Sequence, residues 1–366
     1  MSRPHGATPS RAIPSLDGLR AVSVVMVMLA HASETRGFPR GPLASFPSVF
    51  AALTDHGTLG VQVFFVISGY LITTLILDEQ QTTGRLSLKA FYVRRALRIL
   101  PASYVFLLCM ALAGIVGLMP WGPGQVRELV IAAVYGTNMI TTGTWPFGHL
   151  WSLALEEQFY LVWPFMLAWL GAARSIRAAA AVALLSAPML VVLQLVGSSW
   201  FGPASRLFPF AADSIAAGCV LAVALPWARQ RGWLHHAAFR SGVGHAVPLL
   251  IVVLDIERHH PLLHYGVLQP LQNLGICYAV ARYTTWPDDL VGRVLNLPSM
   301  RALGRASYSL YLWQQPFLNP YGSALLQTFP LNGVAASVAA FCSYRLIEMP
   351  MLKLRSRYRP AEAVAA

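Results

Sequence analysis

Three polar residues interrupt an otherwise apolar stretch near the start of the chain: Asp17, Arg20 and His31, within residues 13–33. An α-helix turns about 100° and rises about 1.5 Å per residue, so the step from Arg20 to His31 returns to the same face about 16 Å further along. Asp17 and Arg20, three apart, can pair on that face. Ionisable groups on a membrane-spanning helix are costly unless they face protein or a wet cavity, which makes this aligned row a candidate site. A neutral imidazole at His31 can take a proton from a hydroxyl or accept an acyl group as a nucleophile. The plainer alternative is an arginine snorkelling from a helix end and a histidine hydrogen-bonded to a neighbouring span.

Two further groups carry chemistry. Arg94, Arg95 and Arg98 stand at the foot of the third apolar stretch. The Arg95-x-x-Arg98 spacing puts two guanidinium forks on one helical side, a geometry suited to a polyphosphate. Anchoring to anionic lipid explains the same residues. In the segment 148–164, Glu156 and Glu157 fall among apolar neighbours, flanked by Trp151, Tyr160 and Trp163. A carboxylate there must be paired, hydrogen-bonded or protonated, as for a general base or a histidine-orienting partner.

Other polar residues read more plainly. Ser68 is a hydroxyl bonded to its own backbone or to a neighbour. Tyr308, Tyr311 and Trp313 either line an acceptor groove or pack at the interface, and Glu348 is expected to partner Arg345, three residues away. Asp255, Glu257, His259, His260 and His264 lack a metal-ligand spacing, so no metal is expected. Cys109, Cys219, Cys277 and Cys342 lie singly and read as small core residues.

These residues need elements that hold them inside a bilayer. Of 366 residues, 56% are hydrophobic and only 11% charged, against about 25% charged in a soluble domain. The expected fold class is all-α, a polytopic integral membrane protein. Stretches long enough to cross, or nearly so, run at 16–34, 59–78, 99–118, 150–170, 177–196, 208–226, 243–256, 263–283, 305–328 and 331–349, about ten transmembrane helices. A further stretch, 126–141, opens with Arg127-Glu128 and reads as a short re-entrant or interfacial helix.

The net charge of +12 arises from 27 Lys+Arg against 15 Asp+Glu. Ten spans with both termini cytoplasmic put most of those cations inside. A second arrangement, in which 126–141 crosses and 243–256 does not, fits the charges less well and inverts the chain between them. In the favoured topology His31 and Glu157 share the outer half of the membrane, so the two can meet. Residues 1–15 read as a cytoplasmic leader, 16–350 as the membrane domain and 351–366 as a basic cytoplasmic tail. No compact basic segment exists to bind nucleic acid, and no inverted repeat of a secondary transporter is visible.

Six short stretches, in order, resemble the acyltransferase-3 family of integral-membrane O-acyltransferases over nearly the whole chain. They are the run Leu16-Asp-Gly-Leu-Arg-Ala with Arg20-x10-His31, residues 60–72, the Arg-Arg-Ala-Leu-Arg-Ile-Leu-Pro run, residues 149–160, Ser307-Tyr-Ser-Leu-Tyr-Leu-Trp313, and Ile347-Glu-Met-Pro350. The resemblance implies transfer of a short acyl group, most simply acetyl, from acyl-coenzyme A on the cytoplasmic side to a hydroxyl of a glycan or glycosylated acceptor. It implies a bacterial inner-membrane location.

His31 would be the catalytic histidine with Arg20 its motif partner, Arg95 and Arg98 the coenzyme A contacts beside Arg94, and Glu157 the acidic position. Asp17, Ser68, Trp151, Tyr160, Tyr311 and Trp313 would support them. Arg20, so far from His31 along one face, suits a contact to the thioester arm better than a direct hydrogen bond. Gln62 and Gln314 depart from the Asp and His that the family often carries there. The hydrolase-like domain fused to some members has no counterpart, so the sequence reads as a stand-alone membrane module. The rival from another class is a transporter or flippase for a lipid-linked sugar or organic anion. Transport alone does not require a cytoplasmic polyphosphate clamp. An acyltransferase acting on a small secondary metabolite such as a macrolide sugar shares every residue argument.

Overall fold

The computed structural model describes residues 13–140, 143–235, 242–255 and 260–358, and among them every regular element is helical. Residues 1–12 of the leader, 359–366 of the tail, and Glu257 and His259 lie outside the described residues. The longer helices are α1 Pro14–Ser33, α2 Gly57–Thr83, α3 Leu88–Ile115, α4 Pro123–Ala133, α5 Leu150–Leu170, α6 Ala172–Leu195, α7 Asp213–Gln230, α8 Ala246–Asp255, α9 Gln269–Thr285, α10 Pro298–Arg305, α11 Ser307–Phe317, α12 Leu331–Ser343 and α13 Met349–Arg355.

Among the described residues five stretches are long and apolar enough to cross a bilayer: Ser15–Ser33, Val49–Thr83, Leu88–Ile115, Ala172–Leu195 and Phe210–Gln230. Helix α5, with 21 residues, has the length, but its Glu156-Glu157-Gln158 run keeps its hydropathy down. Two other runs continue through a π-helical turn, a form often found at functional sites. One is Pro261–Leu263 joined to α9 by His264–Leu268, and the other is α12 joined to α13 by Tyr344–Glu348.

Of the two stretches on which the topology turns, 126–141 is short as the sequence pattern predicts, and 243–256 is shorter than predicted. The apolar run 126–141 is helical only as far as Ala133, in the 11-residue α4, about 16 Å long, and Tyr135 just beyond it lies in the left-handed region (φ 54°). The stretch 243–256 forms only the 10-residue α8, about 15 Å. Each covers about half of a hydrocarbon core of roughly 30 Å.

Helix α1 is the central element, with α2, α10 and α11 packed around it. Helix α7 crosses α2 where Gly69 meets Gly218. A Cβ on Gly69 would overlap the Ile215 carbonyl, and one on Gly218 would overlap that of Val66. Small residues at such crossings let membrane helices approach closely and gain dispersion contact. Leu155, Phe159 and Trp163 of α5 fill the space beside Phe65 and Ile215. Leu161, Phe165 and Trp169 of the same helix stay exposed, so α5 turns one face to the bundle and the other to lipid.

Candidate active site

Helix α1 carries its polar residues at two levels, about 16 Å apart along the axis. Each level gathers side chains from other helices.

At the first level, Arg20 lies within electrostatic reach of Arg98, Tyr160, Asp17 and Glu156. Arg95 is the hub. Its Nη2 is 3.5 Å from Glu156 Oε1 and 4.0 Å from Glu157 Oε1, and its guanidinium sits 3.3 Å from the Tyr160 ring centroid. Glu156 also accepts from Ser68 Oγ at 2.5 Å and from the Tyr160 hydroxyl. Opposite charge, a π face and two hydroxyl donors thus satisfy a carboxylate that would otherwise be costly among apolar helices.

Three sequence expectations change at this level. Glu156, more than its neighbour, is the shared acceptor, and no hydrogen bond or ion pair joins Glu157 to His31 among the described residues. Residues 156 and 157 lie about two turns from the His149 end of α5, so both are carried down toward Arg95. Arg94 points elsewhere: it pairs with Glu79 at 2.8 Å and donates to the Tyr358 carbonyl at 3.0 Å, because one residue along a helix is a rotation of about 100° from Arg95. Glu348 does not pair with Arg345. The π turn directs it inward, 1% exposed, where it accepts from Ser309 at 3.0 Å and faces Arg98 and Arg20. Arg345 stays outside against Phe341 and Met349.

The second level is built from neutral groups. His31 stands in the last turn of α1 with Nδ1 2.7 Å from Gln314 Oε1. Gln314 is fully buried on α11. In the neutral ring the hydrogen sits on Nδ1, where the amide oxygen accepts it, and Nε2 keeps its lone pair. Trp145 presents its ring edge-on to His31 at 5.3 Å and donates Nε1–H to the Gln315 carbonyl at 2.8 Å.

His149, 3% exposed, donates its backbone N–H to Gln315 Oε1 at 2.7 Å and Nε2–H to the Leu312 carbonyl at 3.1 Å. Tyr311 extends this network: its hydroxyl lies 2.6 Å from Ser152 Oγ and donates to the His149 carbonyl at 3.1 Å. Trp151 packs on Phe65, and Trp313 on Phe106. A cavity of about 450 Å³ opens here, with His31, Trp145, Trp151, His149 and Tyr321 in its wall.

His149 was visible in the sequence as the first residue of the segment 149–160. Gln314 stood out only as a departure from a pattern, and nothing marked Trp145 or Tyr321. Among the described residues no group of three or more His, Cys, Asp or Glu is arranged to hold a metal ion.

A family model described as an acyltransferase domain matches residues 13–344. The chain is 28% identical to the O-acetyltransferase OatA of Staphylococcus aureus, over 94% of this chain and 58% of that protein. It is 26% identical to the peptidoglycan O-acetyltransferase OatA of Listeria monocytogenes, over 93% and 56% respectively. It is 28% identical to the putative peptidoglycan O-acetyltransferase YrhL of Bacillus subtilis, over 95% and 56%. The chain therefore spans little more than half the length of these relatives. No solved structure matches it.

Proposed function

Because this chain belongs to the acyltransferase-3 family, we propose that it moves a short acyl group, most simply acetyl, from acyl-coenzyme A to a hydroxyl of a glycan or glycosylated acceptor. The observation that carries this reading is the His31–Gln314 hydrogen bond at the wall of the cavity, which leaves Nε2 as the basic atom. His31 Nε2 takes the acceptor's hydroxyl proton as that oxygen bonds to the acyl carbon, and returns it to the departing sulfur as the C–S bond breaks. Gln314 holds the tautomer and the ring orientation, and Trp145 limits ring rotation.

The residues at the Arg20 level suit a phosphate-bearing donor. Among the described residues Arg98 is committed to no hydrogen bond or ion pair, and Arg95 Nε is buried without an acceptor. Forked guanidinium donors of this kind match phosphate oxygens. Arg95, tied to Glu156 and Tyr160, would brace the site while Arg98 and Arg20 supply donors. Buried polar atoms without internal partners recur toward His31, at Trp313 Nε1, His149 Nδ1 and Gln314 Nε2. Such atoms are ordinarily satisfied, so they favour a polar arm lying between the levels.

We place the Arg20 level toward the cytoplasm and the His31 level outward, with ten crossings, both termini inside and a bacterial inner membrane as the location. Helix α5, the π-joined runs ending in α9 and α13, and the α10–α11 pair bring the five apolar spans to nine, and the stretch 243–256, of which α8 forms part, is taken as the tenth. A single cysteine at position 198 in a cysteine-free background tests it. Labelling from outside is expected, and labelling only from inside overturns the placement.

The test of the activity is release of free coenzyme A from acetyl-coenzyme A by purified protein. Release should vanish in His31→Ala while coenzyme A binding persists. Well-folded wild type that neither binds nor cleaves several acyl donors would put the transporter reading ahead.

A further inference from the structure

One arginine beyond the Arg20 level has no task so far. Arg301 is half-buried on α10. Met300, Leu303 and Gly304 share its inward side, while Pro298, Ser299, Ala302 and Arg305 are exposed. That inward side is pressed on the site: a Cβ on Gly304 would overlap the Asp17 carbonyl of α1, and Leu303 packs on the core that holds Tyr160 and Ile99. Among the described residues Arg301 makes no hydrogen bond or ion pair, even with Asp17, and its Nε is buried without an acceptor. Its neighbours in kind are committed, Arg94 to Glu79 and the Tyr358 carbonyl, Arg95 to Glu156 and Tyr160. A buried N–H without an acceptor is costly and is ordinarily satisfied, so a guanidinium left in this state is a vacant donor for an anion.

Its place along the bundle says which anion. Helix α11 follows α10 directly, with Ala306 N–H bonded to the Ala302 carbonyl and Leu310 N–H to that of Ala306. The first turn of α11 meets the arginine level. There Tyr308 donates to the Ile99 carbonyl at 3.0 Å, and Ser309 donates at 3.0 Å to Glu348, which faces Arg98. Two turns later Gln314 meets His31 at 2.7 Å. Arg301 stands seven residues before Tyr308, about 10 Å along the chain in the direction away from His31.

An acyl-coenzyme A carries its groups in a fixed order from the thioester: the pantetheine arm, the pyrophosphate and then, one ribose further, a 3′-phosphate monoester. With the thioester at His31 and the pyrophosphate at Arg20 and Arg98, the monoester is carried toward Arg301. We propose that Arg301 binds this 3′-phosphate through the N–H groups of its fork, and that the protein thereby selects coenzyme A over dephospho-coenzyme A. This rests on the acyl-coenzyme A reading above and adds to it a residue that reads one end of the donor. A phosphate on a lipid headgroup offers the same chemistry, and the experiment separates the two sources.

Titration calorimetry on the full chain in detergent, with coenzyme A and dephospho-coenzyme A as ligands, tests it. Wild type should bind coenzyme A roughly 10–150-fold more tightly, the span of a hydrogen bond between charged groups. Arg301→Ala should bring coenzyme A affinity down to the dephospho value and leave dephospho-coenzyme A binding unchanged, which also shows that the variant is folded. Arg301→Gln, closer in shape, should behave alike and serves where the alanine variant does not fold. Arg98→Ala should weaken both ligands equally. Equal binding of the two ligands by wild type overturns the assignment of Arg301 and spares the donor reading. So does an Arg301 variant that still discriminates, which leaves Arg301 to a lipid phosphate, or a folded one that loses both ligands together. Wild type that binds neither ligand removes the donor reading, and the 3′-phosphate site with it.

Discussion

The two levels of polar residues on α1 solve the same problem in opposite ways. Around Arg20 and Arg95, buried charge is neutralised by opposite charge: Glu156, Glu157 and Glu348 answer three arginines. Around His31 the first-contact partners are neutral, and Gln314, Gln315, Tyr311 and backbone carbonyls do the positioning. The first arrangement can tolerate a polyanion, because charge can be re-paired when a ligand arrives. The second keeps an imidazole neutral and oriented, as a base requires. In the proposed reading, a single helix carries a binding end and a reacting end.

Variants can break this contrast. The largest expected effect is His31→Ala, which should lower acyl transfer by 10²–10⁴-fold, the usual range for a general base, with the melting temperature within a few degrees of wild type. Arg95→Ala should cost about 3 kcal/mol of stability, because it strands the Glu156 carboxylate in the bundle. It should also abolish coenzyme A binding, read by loss of the thermal shift that ligand produces. If Arg95→Ala,Glu156→Gln is as unstable as Arg95→Ala alone, the ionic account of this level is wrong.

Gln314→Ala should reduce kcat by roughly a hundredfold through loss of orientation while KM for the acyl donor stays put. A fall in donor affinity instead would mean that the two levels are not separate. The smallest effect on ligand binding is expected for Arg94→Ala, which should leave coenzyme A binding intact because Arg94 pairs with Glu79 and not with the Arg95 cluster. That outcome sets Arg94 apart from its neighbour Arg95.

The ionic level was largely legible beforehand, since a charge in an apolar stretch is conspicuous in one dimension. Arg20, Arg95 and Arg98 come together there with Ser68 and Tyr160, and so does Glu157, which the sequence reading had put beside His31. What could not be read was which of two adjacent carboxylates would be the shared acceptor, because a rotation of about 100° separates them and only the neighbouring helices decide it. The pairing of Glu348 with Arg345 failed for a related reason. Three-residue spacing favours contact in a regular helix, but a π turn at Tyr344–Glu348 rotates one of them inward. The neutral level was mostly hidden, since Gln, Trp and Tyr are common in any membrane protein and announce nothing by type.

The sequence by itself determined that the chain is helical and membrane-embedded, that α1 bears a histidine about 16 Å along one face from an arginine, and that its motifs are those of an acyltransferase. The first two follow from composition and from periodicity along one helix, and the third from the resemblance of six stretches to the acyltransferase-3 family. The tertiary structure alone decided that Gln314 meets His31, that Glu156 closes the arginine level, and that Trp145, His149 and Tyr321 wall a cavity. Those contacts join residues more than 60 positions apart. They depend on how closely helices approach and how each is rotated, which is set by packing at sites such as Gly69 and Gly218.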